Sequence, residues 1–152
     1  MPAADFYAFQ QPQANPDTLL SSVALGTPNV DVSVTVSGAD GDKPRLWTRV
    51  STGNVGGNAG YFVQLTLSPA SRQMQVARRD YTGTVTSLYT EALSAGLTSV
   101  LRLRFAGNAF EAYVDGVQHY GGSDVTVTGT RAGIGCGAAG TARFDTFVAT
   151  PV

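Results

Sequence analysis

The sequence predicts an all-β fold, a two-sheet antiparallel β-sandwich, and three observations predict it. Apolar and polar residues alternate with a period of two, most regularly over residues 30–37, as in a strand with one buried face. Eighteen glycines are spread along the chain, many in short polar segments that are typical of tight turns. No segment keeps the periodicity of an amphipathic helix. Roughly ten short strands joined by turns are typical of a sandwich or jelly roll.

The composition indicates a globular chain and excludes several classes of function. The 152 residues are 43% hydrophobic and only 14% charged, which fits a domain with a real core. A net charge of -1 provides no basic surface for nucleic acid or anionic lipid. No run approaches the roughly 20 apolar residues of a membrane helix, and no secretory signal peptide is recognisable. We therefore expect folding in the cytoplasm, no nucleic acid and no membrane insertion.

Residues 1–28 predict an extended, Pro-rich N-terminal arm that precedes a β-sandwich domain over residues 29–152. The arm holds four of the seven prolines, which disfavour a long helix and a central strand. One short strand is expected near residues 19–25. The arm's aromatic residues are its expected anchors, buried either on its own domain or on a neighbouring subunit. These anchors are Phe6, Tyr7 and Phe9.

After the arm, strands alternate with turns that are rich in Gly, Ser and Asp. The pattern predicts strands over residues 30–37, 45–52, 61–67, 73–80 and 85–91, and two final strands near 132–135 and 143–149.

Residues 100–120 predict two consecutive hairpins with a fixed register. Gly107-Asn108 and Asp115-Gly116 are typical of two-residue hairpin loops, the second of type I′. The first loop places Arg104 opposite Glu111 on the polar face, which predicts an ion pair worth about a few tenths of a kcal/mol. A slip by one residue would exchange the polar and apolar faces, so the register is strongly specified.

The run over residues 101–116 resembles the late strands of concanavalin A-like lectin/glucanase domains, including the laminin-G-like group. The chain ending over residues 131–135 and 143–147 does so as well. Leu46-Trp47-Thr48-Arg49 and residues 60–63 resemble the paired central strands of that group. The resemblance covers about residues 29–150 and implies a concanavalin A-like jelly roll. Because this fold hosts lectins, glycosidases, adhesion modules and structural parts, it does not specify a function.

Metal and thiol chemistry are not expected. The resemblance implies that calcium is an available cofactor, since many proteins of this fold bind it. Asp40 and Asp42 share a loop, but their spacing does not match an EF-hand, and we expect no cofactor and no metal site. Cys136 is the only cysteine, and it is expected to be a buried, inert thiol.

Few residues of the sequence are candidates for a catalytic role. Hydrolysis of a glycosidic bond usually needs two carboxylates about 5–10 Å apart, and the chain has two glutamates, Glu91 and Glu111, far apart in sequence. The register assigns Glu111 to Arg104. His119, the only histidine, is expected opposite Ala112, with no Gly-x-Ser-x-Gly motif to accompany it. We therefore expect no catalytic residue and no enzyme.

A polar face rich in arginine and aromatic residues is the most suggestive feature. Sugars stack on aromatic rings while arginine donates to their hydroxyls or carboxylates. The same composition is typical of a subunit interface. In a third interpretation, the tryptophan packs at the edge of the core and the arginines are solvated. If the two halves of the set share one sheet face, the ligand or interface face consists of Arg45, Trp47, Arg49, Arg102, Arg104 and Tyr113.

These features favour a protein that binds or builds rather than catalyses. Domains of the resembling group mostly act outside cells or on surfaces, whereas this chain shows no export signal. A phage virion component, such as a decoration, fibre or tail-associated protein, satisfies both conditions. It would fold in the cytoplasm, act on a virion or cell-exterior surface, and contact other subunits or copies of itself. The alternative is a carbohydrate-binding module for cell-surface glycans, and a glycoside hydrolase of the same fold is less favoured.

Overall fold

The computed structural model describes residues 4–6, 9–10, 18–54, 57–138 and 140–152, without the side chains of residues 4–6, 9–10, 18 and 20. In these ranges the chain forms strands and no helix. The strands are β1 (Ala4–Phe6), β2 (Phe9–Gln10), β3 (Thr18–Ala24), β4 (Val30–Ser37), β5 (Pro44–Asn54), β6 (Gly57–Thr66), β7 (Ser68–Arg79), β8 (Val85–Gly96), β9 (Thr98–Ala106), β10 (Ala109–Val114), β11 (Val117–Ser123), β12 (Arg131–Cys136) and β13 (Arg143–Pro151).

The strands form two antiparallel sheets. The seven-stranded sheet has the order β1-β13-β4-β9-β10-β11, with β2 also paired to β13, and the six-stranded sheet has the order β3-β12-β5-β6-β7-β8. This confirms the predicted two-sheet sandwich. Within the described ranges, no helix is long and apolar enough to cross a membrane.

The core lies between the sheets because alternate side chains of each strand point inward. In β4, Val32 and Val34 are fully buried while the residues between them are half-buried. Phe105 and Phe110 stack at 4.3 Å between ring centroids, and Tyr61 of the opposite sheet lies 4.8 Å from Phe105. Each such side chain stabilises the fold by about 1.5–3 kcal/mol through burial.

The register of the first predicted hairpin is confirmed, and that of the second is confirmed only near its turn. Arg104 lies opposite Glu111, and Asp115 and Gly116 both have positive φ, 52° and 82°, as a type I′ turn requires. The expected pairing of His119 with Ala112 was wrong. A β-bulge in the β10–β11 ladder sets Ala112 opposite Tyr120 instead, because a bulge adds one residue to one strand of a pair.

The described part of residues 1–28 pairs with strands of the same chain. β3 confirms the strand expected near residues 19–25 and pairs with β12. β1 and β2 pair with β13, where the backbones of Phe6 and Phe9 lie opposite Phe147 and Phe144. Tyr7, the third predicted anchor, lies outside the described residues. Strands from residues 1–28 are therefore part of both sheets, and the sandwich is not confined to residues 29–152.

Candidate functional site on the outer sheet faces

The outer face of the seven-stranded sheet carries half of the predicted ligand or interface face. Arg102 donates from Nε and Nη2 to the two carboxylate oxygens of Asp31, at 2.8 and 2.6 Å, and its guanidinium lies 4.6 Å from the ring centroid of Tyr113. Arg104 and Glu111 form the predicted ion pair at 3.5 Å. The hydroxyl of Tyr113 donates to Glu111 at 2.9 Å.

The charged groups of this network are paired with one another. Desolvation, and then the hydrogen bond to Glu111, raise the pKa of Tyr113, so the phenol remains a donor to that carboxylate at neutral pH. The arginine side chains are 33–40% exposed, and ion pairs at such positions contribute about 0–1 kcal/mol each. The network therefore fixes side chains of β4, β9 and β10 relative to one another and leaves little unpaired charge for a ligand.

The other half of the predicted face lies elsewhere, so the expectation that the six residues share one face was wrong. Arg45, Trp47 and Arg49 belong to β5 of the six-stranded sheet. They are also buried, at 6%, 0% and 3% exposure. Alternation along a strand predicts which side a residue faces, but it does not predict which of two sheets the strand joins, because strand pairing is a long-range contact.

Trp47 packs in a small apolar cluster on the outer face of the six-stranded sheet. Its neighbour Leu46 points into the main core, so Trp47 points away from it. Its ring lies 4.7 Å from that of Phe62, with Val50 and Ala77 in the same cluster. Full burial prevents Trp47 from stacking on a ligand in this arrangement, and its role is to support the sheet face.

Arg49 joins loops at one end of the sandwich. It has a positive φ of 48° at an irregular point in the β5–β6 register. Its guanidinium lies 3.9 Å from the ring centroid of Phe105. Nη2 donates to the carbonyl of Gly107 at 2.6 Å, and Nε to that of Pro28 at 2.9 Å. Arg49 therefore acts as a structural cross-link rather than as a displayed ligand group.

Beside Arg45, the outer face of the six-stranded sheet becomes a polar grid, which we call the glutamine–threonine face. Arg45 lies 4.1 Å above the ring of Phe62 and donates from Nε to Gln64 at 2.8 Å. From Gln64 the register runs through Gln75 to Thr90, and a parallel row joins Thr66 to Gln73. The glutamine–threonine face consists of Gln64, Thr66, Gln73, Gln75 and Thr90.

Four of the five side chains of this face are available to a ligand. Gln73 and Thr90 are exposed, and Thr66 and Gln75 are half-buried. Among the described residues, none of these four side chains has a hydrogen-bond partner. Neighbouring strands lie about 4.8 Å apart, and alternate residues of one strand about 6.6 Å apart. The grid therefore presents neutral donors and acceptors to a ligand with several hydroxyl groups.

A second polar cluster, which the sequence did not predict, joins the edges of the two sheets. His119 Nδ1 lies 2.9 Å from Glu91 Oε2, and the hydroxyl of Tyr89 donates to the same oxygen at 2.9 Å. The Tyr89 hydrogen bond, and then that of His119, lower the pKa of Glu91. No sequence signal could have found this cluster, because the bulge that moves His119 has no pattern of its own.

Among the described residues, the loop that contains Asp40 and Asp42 does not provide a set of side chains that could hold calcium. No group of three or more His, Cys, Asp or Glu that could hold a metal occurs among them. The carboxylate of Asp42 is buried and accepts hydrogen bonds from the backbone amides of Ala39 and Thr141, at 2.8 and 3.3 Å. Cys136 is buried as predicted, and desolvation raises its pKa to about 11.

Comparison with known proteins identifies the fold. No family model and no curated protein sequence matches the chain. A carbohydrate-binding module, CBM66 from Bacillus subtilis, superposes with a TM-score of 0.64 and 13% identity over 96% of this chain and 93% of that one. Galectin LEC-6 from Caenorhabditis elegans does so with a TM-score of 0.56 and 10% identity over 94% and 95%. The fold is a concanavalin A-like jelly roll.

The jelly roll also occurs as part of larger proteins. The GH43 protein BlXynB from Bacillus licheniformis matches with a TM-score of 0.66 and 15% identity over 95% of this chain, which spans only 32% of that protein. At these identities the likeness shows the concanavalin A-like fold alone, and the function has to be argued from the side chains on its two faces.

Proposed function

We propose that this jelly roll binds a neutral carbohydrate through the glutamine–threonine face and does not hydrolyse it. The main support for this proposal is the set of unpaired amides and hydroxyls on adjacent strands, next to the stacked Arg45 and Phe62. Solved proteins with this fold include a carbohydrate-binding module and a galectin, which supports the class of ligand.

The charge distribution favours a neutral ligand on this face over a charged ligand on the other. On the seven-stranded sheet, Arg102 and Arg104 are already paired with carboxylates, so an anion would have to displace a partner. The five residues of the glutamine–threonine face carry no ionised group, and the neighbouring Arg45 donates to Gln64. Amides and hydroxyls both donate and accept hydrogen bonds, as sugar hydroxyls do.

The expected affinity is modest. Each hydrogen bond to a neutral group contributes about 0.5–1.5 kcal/mol net, so four such groups contribute roughly 2–6 kcal/mol, before the ordering of the ligand and side chains is subtracted. Since about -4 kcal/mol corresponds to a millimolar Kd, binding to a single short glycan is expected in the millimolar range or weaker.

A glycan array followed by calorimetry tests this proposal. Wild type is expected to bind neutral glycans, and the double variant Gln73→Ala/Gln75→Ala to lose at least about 10-fold in affinity, or about 1.4 kcal/mol. Gln118→Ala is the matched control, because Gln118 is an exposed amide on β11 of the other sheet. No binding to any glycan, or unchanged binding by the double variant, would contradict the proposal.

The engagement of both glutamates supports binding without hydrolysis. Glu111 pairs with Arg104 and accepts from Tyr113, and Glu91 accepts from Tyr89 and His119. Incubation of the protein with β-glucan, xylan and fructan should release no reducing sugar above a heat-treated control. Release by wild type that Glu111→Gln or Glu91→Gln abolishes would show that the protein is an enzyme.

The virion role that the sequence favoured ranks behind carbohydrate binding. That role used the N-terminal arm as a connector to a neighbouring subunit. The described strands of this segment pair with β12 and β13 of their own chain, so the segment is already docked on one side without a neighbour. Self-association remains a prediction, and light scattering would test it, since a mass of 15.8 kDa in solution would argue against an oligomer.

A further inference from the structure

A cleft of about 400 Å³ lies between the edges of the two sheets. β8 is the last strand of the six-stranded sheet and β11 the last of the seven-stranded sheet. The volume falls within the usual range for small-molecule sites, roughly 300–1,000 Å³. Its lining includes Arg72, Ala92, Ser94, Asp115, Val117 and His119.

The charged groups at this cleft already have polar partners. Arg72 Nη1 lies 2.9 Å from Asp115 Oδ2, and His119 Nδ1 lies 2.9 Å from Glu91 Oε2. Arg72 is only 7% exposed and is held further by a hydrogen bond from Nε to the carbonyl of Ser94, at 2.7 Å. Arg72 and Asp115 therefore compensate each other's charge, and Glu91 already accepts hydrogen bonds from Tyr89 and His119, which favours a neutral ligand.

Polar atoms that can still bind a ligand remain at the cleft. Arg72 Nη2 has a single long contact to Ser94 Oγ, at 3.4 Å, and within the described structure His119 Nε2 has no hydrogen-bond partner. Leu93, Val114 and Val117 add an apolar lining. A few polar atoms beside an apolar wall match a sugar ring, which has hydroxyls at its rim and C–H groups on its faces.

The β-bulge builds one wall of the cleft. Gln118 lies opposite Tyr113, and the next ladder pair joins Tyr120 to Ala112, so His119 is the extra residue. Tyr120 packs on Phe110 at 5.5 Å between ring centroids, and His119 also turns toward β8. A bulge re-aims a side chain in this way, and bulges are enriched beside functional sites.

The cleft and the row that starts on the glutamine–threonine face meet at one residue, Ala92. The row that joins Thr66 to Gln73 ends at Ala92 on β8, and Ala92 also lines the cleft. We infer that the cleft takes the terminal residue of a neutral oligosaccharide whose following residues lie along this row. The inference rests on the proposed function, and it adds that the protein recognises chain ends.

Filling the mouth of the cleft tests the inference. Val117 and Val125 are both exposed, at 58% and 53%, but only Val117 lines the cleft. Calorimetry would use cellohexaose, laminarihexaose, xylohexaose, maltohexaose and a linear six-residue fructo-oligosaccharide as probes. For a probe that binds wild type, Val117→Trp should weaken binding at least fivefold, and Val125→Trp should leave it unchanged.

The outcomes separate the two proposals. Loss of binding in Gln73→Ala/Gln75→Ala with wild-type binding in Val117→Trp would overturn the cleft inference and leave the proposed function standing. Loss in Val117→Trp with wild-type binding in the double variant would overturn the role of the glutamine–threonine face and support the cleft. If none of the five hexasaccharides binds wild type, both proposals fail for neutral linear glycans.

A second measurement needs no variant. His119 is the only histidine, so its ring carbon–proton signals can be followed by NMR without further assignment. Titration of wild type with a binding hexasaccharide should shift these signals along the same saturation curve as the calorimetric binding. Ring signals that stay unchanged at saturation would overturn the inference.

Discussion

Arg72 holds the strand edges together at the cleft, and its replacement by methionine should destabilise the protein measurably. The side chain is 8% exposed. It donates to the carbonyl of Ser94 at 2.7 Å, to Asp115 at 2.9 Å, and to the hydroxyl of Ser99. Methionine keeps most of the apolar stem, so the change removes the guanidinium while leaving most of the packing.

The size of the effect follows from these three hydrogen bonds. A neutral acceptor contributes about 0.5–1.5 kcal/mol net, and a charged one about 1.5–3 kcal/mol. Because the side chain of Asp115 is 45% exposed, water replaces part of the lost interaction, and the charged bond is taken at its lower limit. We expect Arg72→Met to lower the free energy of unfolding by about 2.5–4.5 kcal/mol.

Urea unfolding followed by tryptophan fluorescence measures this difference, since Trp47 is the only tryptophan and is fully buried. The matched control is Arg104→Met, which removes one 3.5 Å ion pair from a side chain that is 33% exposed and should cost about 0–1 kcal/mol. For a domain of this size, the loss in Arg72→Met corresponds to roughly 5–18 °C in Tm. A loss no greater than that of the control would refute this account of Arg72.

Three further predictions follow from single residues. Gly116 has a φ of 82°, and no atom lies within 4 Å of an added Cβ. Gly116→Ala should therefore lower the stability by about 1–2 kcal/mol from backbone strain alone. In thermal unfolding Gly116→Asn should lose less stability than Gly116→Ala, and equal losses would contradict this. Cys136 is 1% exposed and its pKa is raised to about 11 by desolvation, so a thiol reagent at about pH 8 should label it only after urea is added; rapid labelling of the native protein would argue otherwise. Desolvation, and then the hydrogen bond to Asp124, raise the pKa of Tyr61 to about 12. The stability that the Tyr61 hydroxyl contributes should be complete below its unfolded pKa of about 10 and be lost as the pH rises to about 12. Tyr61→Phe should therefore lose less stability than wild type over that interval, and identical stability curves would disprove this.

The hairpins were predictable from the sequence because their signals are local. Gly107-Asn108 and Asp115-Gly116 specify both the place and the length of each turn. The facing of Arg104 and Glu111 follows from the first turn by counting, and the structure confirms it. Counting fails beyond Tyr113, because the bulge changes the parity of β11 without any distinctive dipeptide.

The prediction of one binding face was wrong because strand pairing depends on residues that are far apart in the sequence. Arg45 and Arg102 both follow an alternating pattern, which assigns each a side of its own strand. Whether β5 and β9 share a sheet depends on pairings between residues that are far apart in the chain, and those place β5 beside β6 and β12. The glutamine–threonine face was missed for the same reason, since Gln64, Gln75 and Thr90 meet only through the β6–β7–β8 ladder.

The two outer faces differ in what their side chains do, and this difference favours the less charged face as the binding surface. On the seven-stranded sheet, the displayed groups of Arg102, Tyr113 and Glu111 contact one another, so a ligand would have to compete with partners that are already in place. On β7, Gln73 and Gln75 have no such partners among the described residues. Long, flexible amides are also less typical of an exposed strand surface than β-branched residues. Long amides held apart on a central strand cost conformational freedom when they bind, about 0.5–1.5 kcal/mol per side chain, and only several simultaneous hydrogen bonds offset that loss. A ligand with hydroxyls repeated at the spacing of the strands meets this condition, whereas a single small polar molecule does not.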